Sequence, residues 1–111
     1  MAVRIIKWNN IIDSCGTNLK MKKAFERFKS ICITAKWSKP QDIQSSFNNI
    51  DLITCINTGK PRVVFNVGAN KYRLICGYLF LSHETILYVK FVGNHKAYDA
   101  IKDICLVDMF K

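Results

Sequence analysis

Acidic residues are scarce in this chain: eight Asp and Glu stand against 17 Lys and Arg in 111 residues, a formal charge of +9. Without clustered carboxylates, a nuclease built on paired metal ions has no ligand set. The excess of cations points instead to a polyanion such as nucleic acid, or to an acidic protein partner. Histidine is also rare, with two in the chain, and no CxxC pair occurs, so a zinc site finds little support. No metal or other cofactor is expected. The cysteine count is odd: Cys15, Cys32, Cys55, Cys76 and Cys105. Most of them are expected to pack as small hydrophobes. No apolar run is long enough to span a bilayer, and no leader-like segment opens the chain. The expected setting is a reducing cytoplasm, away from membranes. Half the residues are hydrophobic, which excludes a wholly disordered chain. The length fits one domain over residues 1–111.

AVRII, residues 2–6, reads as a first strand, followed by helix or loop to Cys15 and a break at Gly16. Asn18 can cap a helix starting near Leu19. Met21, Phe25, Phe28, Cys32 and Ala35 follow the spacing of one helix face to about Ala35. Its other sides carry Lys20, Lys22, Lys23, Arg27 and Lys29, either a solvated surface or one that meets phosphates or a partner's acids. Pro40 opens a short helix that ends near Phe47. IDLITCI fits an edge strand or a tucked loop. NTGKP, residues 57–61, is the clearest break.

Three strands are predicted over 62–67, 71–80 and 85–92, joined by linkers short enough for antiparallel hairpins. A closing helix is expected from about Lys96 to Leu106. The fold class is therefore α+β, with an N-terminal strand and helices on one face of a mainly antiparallel sheet.

Alternation assigns Tyr72, Leu74, Cys76, Tyr78 and Phe80 to the core face. Lys71 and Arg73 fall on the other face, at its polar end. An unpaired buried arginine is costly, so Arg73 must find an acid, water or an anionic ligand. Lys90 is a candidate to join these cations, on a strand whose Leu87, Val89 and Phe91 share the opposite face. Arg62 alternates onto the open face one strand over. His95 follows the break at Gly93 and Asn94, with Tyr98 and Asp99 one helical turn on. A histidine there suits proton transfer near neutral pH, or is an exposed loop residue without a role. RNA carries its own nucleophile, the 2′-OH, so a guanidinium and a proton-transfer pair suffice for cleavage. VGANK lacks the GxxxxGK[ST] pattern and the strand–loop–helix context of a phosphate-binding loop.

RVVFNVGANKYRLI followed by YVKFVGNHKAYDAI resembles the HigB-type toxins of bacterial toxin–antitoxin systems, within the RelE-like group of mRNA interferases. AKWSKPQDIQSSF resembles that family's W-x-x-P-x-D-I region. The resemblance runs from about Arg4 to Asp103. It implies a compact RelE-like domain and a metal-independent endoribonuclease acting on mRNA at the translating ribosome. It also implies a cognate helix-turn-helix antitoxin, with operator DNA bound only through the toxin–antitoxin complex. By position it assigns the scissile phosphate to Arg73, general acid or base chemistry to His95, and an orienting role to Tyr98. Lys71, Lys90, Arg62 and Lys96 would contribute positive field and RNA contacts. Two other readings stand beside it: a non-catalytic RNA- or ribosome-binding protein, and an inactive homologue that still binds its antitoxin. The chain departs from the family's IGGNK turn. Ala69 is expected to avoid positive φ, leaving Gly68 or Asn70 to supply it.

Overall fold

The computed structural model describes residues 2–110. Strand β1 (Ala2–Ile6) leads into helices α1 (Trp8–Cys15), α2 (Leu19–Thr34) and α3 (Pro40–Ser46). Strands β2 (Ile50–Ile53), β3 (Arg62–Val67), β4 (Tyr72–Phe80) and β5 (Glu84–Asn94) follow, then α4 (His95–Asp99). The sheet has five strands in the order β1-β5-β4-β3-β2. Only the β1–β5 pairing is parallel among the described residues. The chain returns to β5 through the whole helical layer, the long connection a parallel pair requires. The first four residues of IDLITCI form the edge strand β2.

Each helix starts where its local chemistry allows. The Asn18 side chain accepts the Met21 N–H at 3.0 Å and caps α2. Gly16, at φ 54°, closes α1 just before it. Asp42 Oδ2 accepts the backbone N–H groups of Ser38 at 2.8 Å and Lys39 at 3.2 Å, tying the entry to α3 behind Pro40. Those bonds hold its carboxyl below the usual range, the Ser38 bond foremost.

The predicted α2 face is the core. Met21, Phe25, Phe28 and Cys32 are buried against Phe65, Leu74, Cys76, Leu87 and Val89 of the sheet. Phe28 lies 4.8 Å from Phe65 and 5.0 Å from Phe47 between ring centroids. Burial of each such ring contributes about 1.5–3 kcal/mol. Trp37 is also interior: its carbonyl accepts the buried Thr85 hydroxyl at 2.8 Å, and its indole donates to Ser46 Oγ at 2.9 Å.

The other sheet face is not open along its length. Val64, Ile75 and Phe91 form a second buried cluster, covered by Ile53, Tyr98, Ile101, Ile104 and Val107. The expected long closing helix is replaced by the short α4 and a succession of turns. Tyr98, Ile101, Ile104 and Val107 recur every third residue, a spacing that drifts off one face of an α-helix. The turned backbone instead delivers two carbonyls, those of Ile104 and Val107, to Arg62.

A disulfide joins Cys55 to Cys105, 50 residues apart, and pins this C-terminal segment to the loop before β3. Closing a loop of that length is worth about 4 kcal/mol in the chain-entropy model. Cys15, Cys32 and Cys76 are buried free thiols and do pack as small hydrophobes. The pairing was invisible in the sequence because neither spacing nor count marks it; in a reducing compartment the two sulfurs stand as thiols.

The β4–β5 ladder shifts register between Ile75 and Cys76: Ile75 pairs with Phe91 and Cys76 with Val89, leaving Lys90 as the extra residue. One inserted residue inverts all later alternation. Phe91 therefore joins the second cluster and Val92 the main core, the reverse of the alternation predicted for β5. Met109 N–H takes the Lys90 carbonyl at 2.7 Å.

Candidate functional site

Arg73 lies on the central strand near one end of the β3–β4–β5 ladder, opposite Asn66 on one side and Gly93 on the other. The face it occupies holds Ile75, as the alternation requires. Its guanidinium carbon sits 5.3 Å from the centroid of the Tyr98 ring, a cation–π arrangement. Its Nη1 is buried and has no hydrogen-bond partner among the described residues. An arginine resting on an aromatic ring with a donor left over has hydrogen-bonding capacity to offer an oxyanion.

Gly93 lets α4 descend onto this strand. A Cβ there would meet the Phe91 ring at 2.8 Å and Ala97 at 3.2 Å. The Asn94 side chain then accepts the Ala97 N–H at 2.8 Å and starts α4. One turn later Tyr98 packs on Phe91, with ring centroids 6.5 Å apart. Burial raises the Tyr98 phenol above its ordinary value; Asp51 and Asp99 add to this while Arg73 opposes it. The phenol thus keeps its proton at neutral pH.

His95 opens α4, exposed to solvent, and its Nε2 bonds the Asn70 carbonyl. A carbonyl only accepts, so Nε2 carries hydrogen. In the neutral ring this leaves Nδ1 as the basic nitrogen. Asn70 belongs to the β3–β4 turn, where Gly68, Ala69 and Asn70 all have positive φ, 65°, 55° and 69°. Ala69 thus adopts the conformation it was expected to avoid. The Lys71 N–H closes the turn on the Gly68 carbonyl at 3.1 Å, and the tight reversal holds Ala69 there against its own preference.

Lys71 and Lys96 are exposed beside this turn and α4. The other two predicted cations are engaged elsewhere. Arg62 is buried, opposite Gly77, and donates Nη1 to the carbonyls of Ile104, at 2.6 Å, and Val107, at 2.5 Å. Burial pushes it below its ordinary value, opposed by Asp108 and Asp103. Its expected place on an open face fails because the C-terminal turns cover that end of the sheet. Lys90 pairs with Asp108 at 3.3 Å, so the bulge that reorients β5 also turns this lysine toward the C-terminal segment.

Residue-by-residue reading missed three asparagines. Asn66 Nδ2 donates to the Asn49 carbonyl at 2.7 Å, and Asn49 Nδ2 approaches Asn70 Oδ1 at 3.4 Å. Together they link β3, the segment before β2, the turn and His95. A polar Asn within RVVFNV, on the Arg62 face, was the available signal.

Among the described residues, no cluster of three or more His, Cys, Asp or Glu is placed to hold a metal ion. No helix among them is long and apolar enough to cross a membrane. A family model described as HigB_toxin, RelE-like toxic component of a toxin-antitoxin system, matches residues 21–101. No curated protein matches the chain.

Proposed function

The chain belongs to the HigB family of RelE-like toxins, and we propose that it is an endoribonuclease that cuts mRNA at the translating ribosome without a metal ion. One observation carries the assignment: Arg73 lies over Tyr98 with Nη1 unpartnered among the described residues, in a chain of charge +9. In this reading the guanidinium holds the scissile phosphate and stabilises charge on its non-bridging oxygens as they crowd the phosphorus. The neighbouring 2′-oxygen attacks phosphorus and gives its proton to a base. The bond from phosphorus to the 5′-oxygen breaks, and that oxygen takes a proton from an acid. The products are a 2′,3′-cyclic phosphate and a 5′-hydroxyl. His95 Nδ1 and the Tyr98 phenol are the proton-carrying groups beside Arg73. Lys71 and Lys96 add backbone contacts and positive field.

The family description also supports a cognate antitoxin. Its helix-turn-helix class, and operator binding through the complex, belong to the same proposal. The basic sides of α2 suit an antitoxin with an acidic surface.

The test is controlled expression of wild type and Arg73→Ala, with mapping of new RNA 5′ ends. Cuts inside translated messages that vanish in the variant are the expected result. Intact messages in cells holding folded wild type would overturn the nuclease, and cleavage by purified protein that requires magnesium would overturn the mechanism.

A further inference from the structure

Asn66 and Arg73 are direct cross-strand partners on the same sheet face. Both have a buried polar atom without a hydrogen-bond partner among the described residues: Oδ1 of Asn66 and Nη1 of Arg73. One is an acceptor and the other a donor, yet they do not bond each other. A buried orphan of either kind is costly, and two side by side call for a ligand that satisfies both.

The Asn66 amide has one orientation. Its Nδ2 must donate to the Asn49 carbonyl, at 2.7 Å, so Oδ1 is the end left over. Its anchor keeps it in place, whereas the Arg73 side chain is long and rests on an aromatic face it can leave. A phosphate that draws the guanidinium outward also opens the space beside Oδ1. Cross-strand neighbours are separated by about 5 Å at Cβ. On a nucleic-acid strand, the donor that lies so close to a bound phosphate is the 2′-hydroxyl of the preceding ribose; base edges lie farther away.

We propose that Asn66 is a specificity residue that accepts a hydrogen bond from the ribose 2′-hydroxyl beside the phosphate held by Arg73. It thereby selects RNA over DNA and orients the attacking oxygen. The inference rests on the RNA-cleaving reading and adds a residue that reads the sugar. Asn66 takes no proton itself, because an amide oxygen is too weak a base.

The test measures binding of fluorescein-labelled 12-nucleotide strands of one sequence with ribose, 2′-deoxyribose or 2′-fluororibose sugars. The protein carries His95→Gln, and gels verify that strands stay intact. One hydrogen bond is worth about a fivefold preference for ribose over both other sugars, since fluorine cannot donate. Asn66→Ala in this background is expected to bind all three strands equally, at the affinity the parent shows for DNA. An undiminished ribose preference in that variant would overturn the inference while leaving the nuclease standing. Failure of the parent to bind any strand would remove both. Asn66→Asp guards against a purely structural effect: its carboxylate pairs with Arg73, so both ribose and deoxyribose strands weaken more than tenfold while melting temperature holds or rises. An Asp variant that binds like the parent would also overturn the proposal.

Discussion

The ring of His95 is held by the backbone carbonyl of Asn70, so the first residue of α4 is tied to the β3–β4 turn. The bond fixes which nitrogen carries hydrogen and leaves the other one free to take a proton. It joins two stretches that are separate in sequence, FNVGANKYR and FVGNHKAYD.

His95→Gln separates the tie from the chemistry. A glutamine amide can still donate to the Asn70 carbonyl, but it cannot carry a proton between substrate atoms. The variant is expected to melt close to wild type and to lose about 10²–10⁴-fold in cleavage rate. Retention of the wild-type rate, in a cleavage assay on translated message, would remove His95 from proton transfer.

Arg62 and Arg73 are expected to part under the same substitution. Arg62→Ala strands the carbonyls of Ile104 and Val107 that it now satisfies. The expected cost is about 1–3 kcal/mol in a urea melt, with RNA affinity nearly unchanged. Arg73→Ala removes an arginine with an unpartnered Nη1, so stability is expected to hold while cleavage is lost. A large fall in RNA affinity for Arg62→Ala, without unfolding, would return Arg62 to the RNA surface.

Ala69→Gly restores the residue the turn geometry favours. Alanine at φ 55° costs about 1–2 kcal/mol, and glycine gives back part of that through its freer unfolded chain. A net gain of roughly 0.5–1 kcal/mol is expected by chemical denaturation. An unchanged or lower midpoint would show that the turn holds Ala69 without strain.

Alkaline pH should weaken the fold through its buried thiols. Burial pushes the Cys32 thiol up to about 12 and raises Cys76 well above its ordinary value. The native pKa values exceed the unfolded ones, so this stability is complete below about 9 and is lost as pH rises toward 12. In that window the Cys32 thiol steepens the loss by about 1.4 kcal/mol per pH unit. Denaturation series from about pH 9 to about pH 11 (about two units, within that window) are expected to be flatter for Cys32→Ala. A parallel slope would show that Cys32 ionises in the native state.

Much of this protein is legible one residue at a time. The spacing of Met21, Phe25, Phe28 and Cys32 fixes the buried side of α2, because a helix has one period whatever surrounds it. Alternation in β4 places Tyr72 and Leu74 in the main core and Ile75 on the face that carries Arg73. Charge and motif together lead to the family that residues 21–101 match. Tertiary structure alone decides whatever depends on a partner distant in the chain. The bulge at Lys90 swaps Phe91 and Val92 between faces, since register is a property of two strands. The Cys55–Cys105 bridge and the two carbonyls that claim Arg62 come from the C-terminal segment folding back over the sheet. Asn66 looks like an ordinary polar interruption until β4 sets Arg73 opposite it. Local periodicity is written in consecutive residues, whereas the pairing of donors, acceptors and sulfurs exists only once the chain has closed on itself.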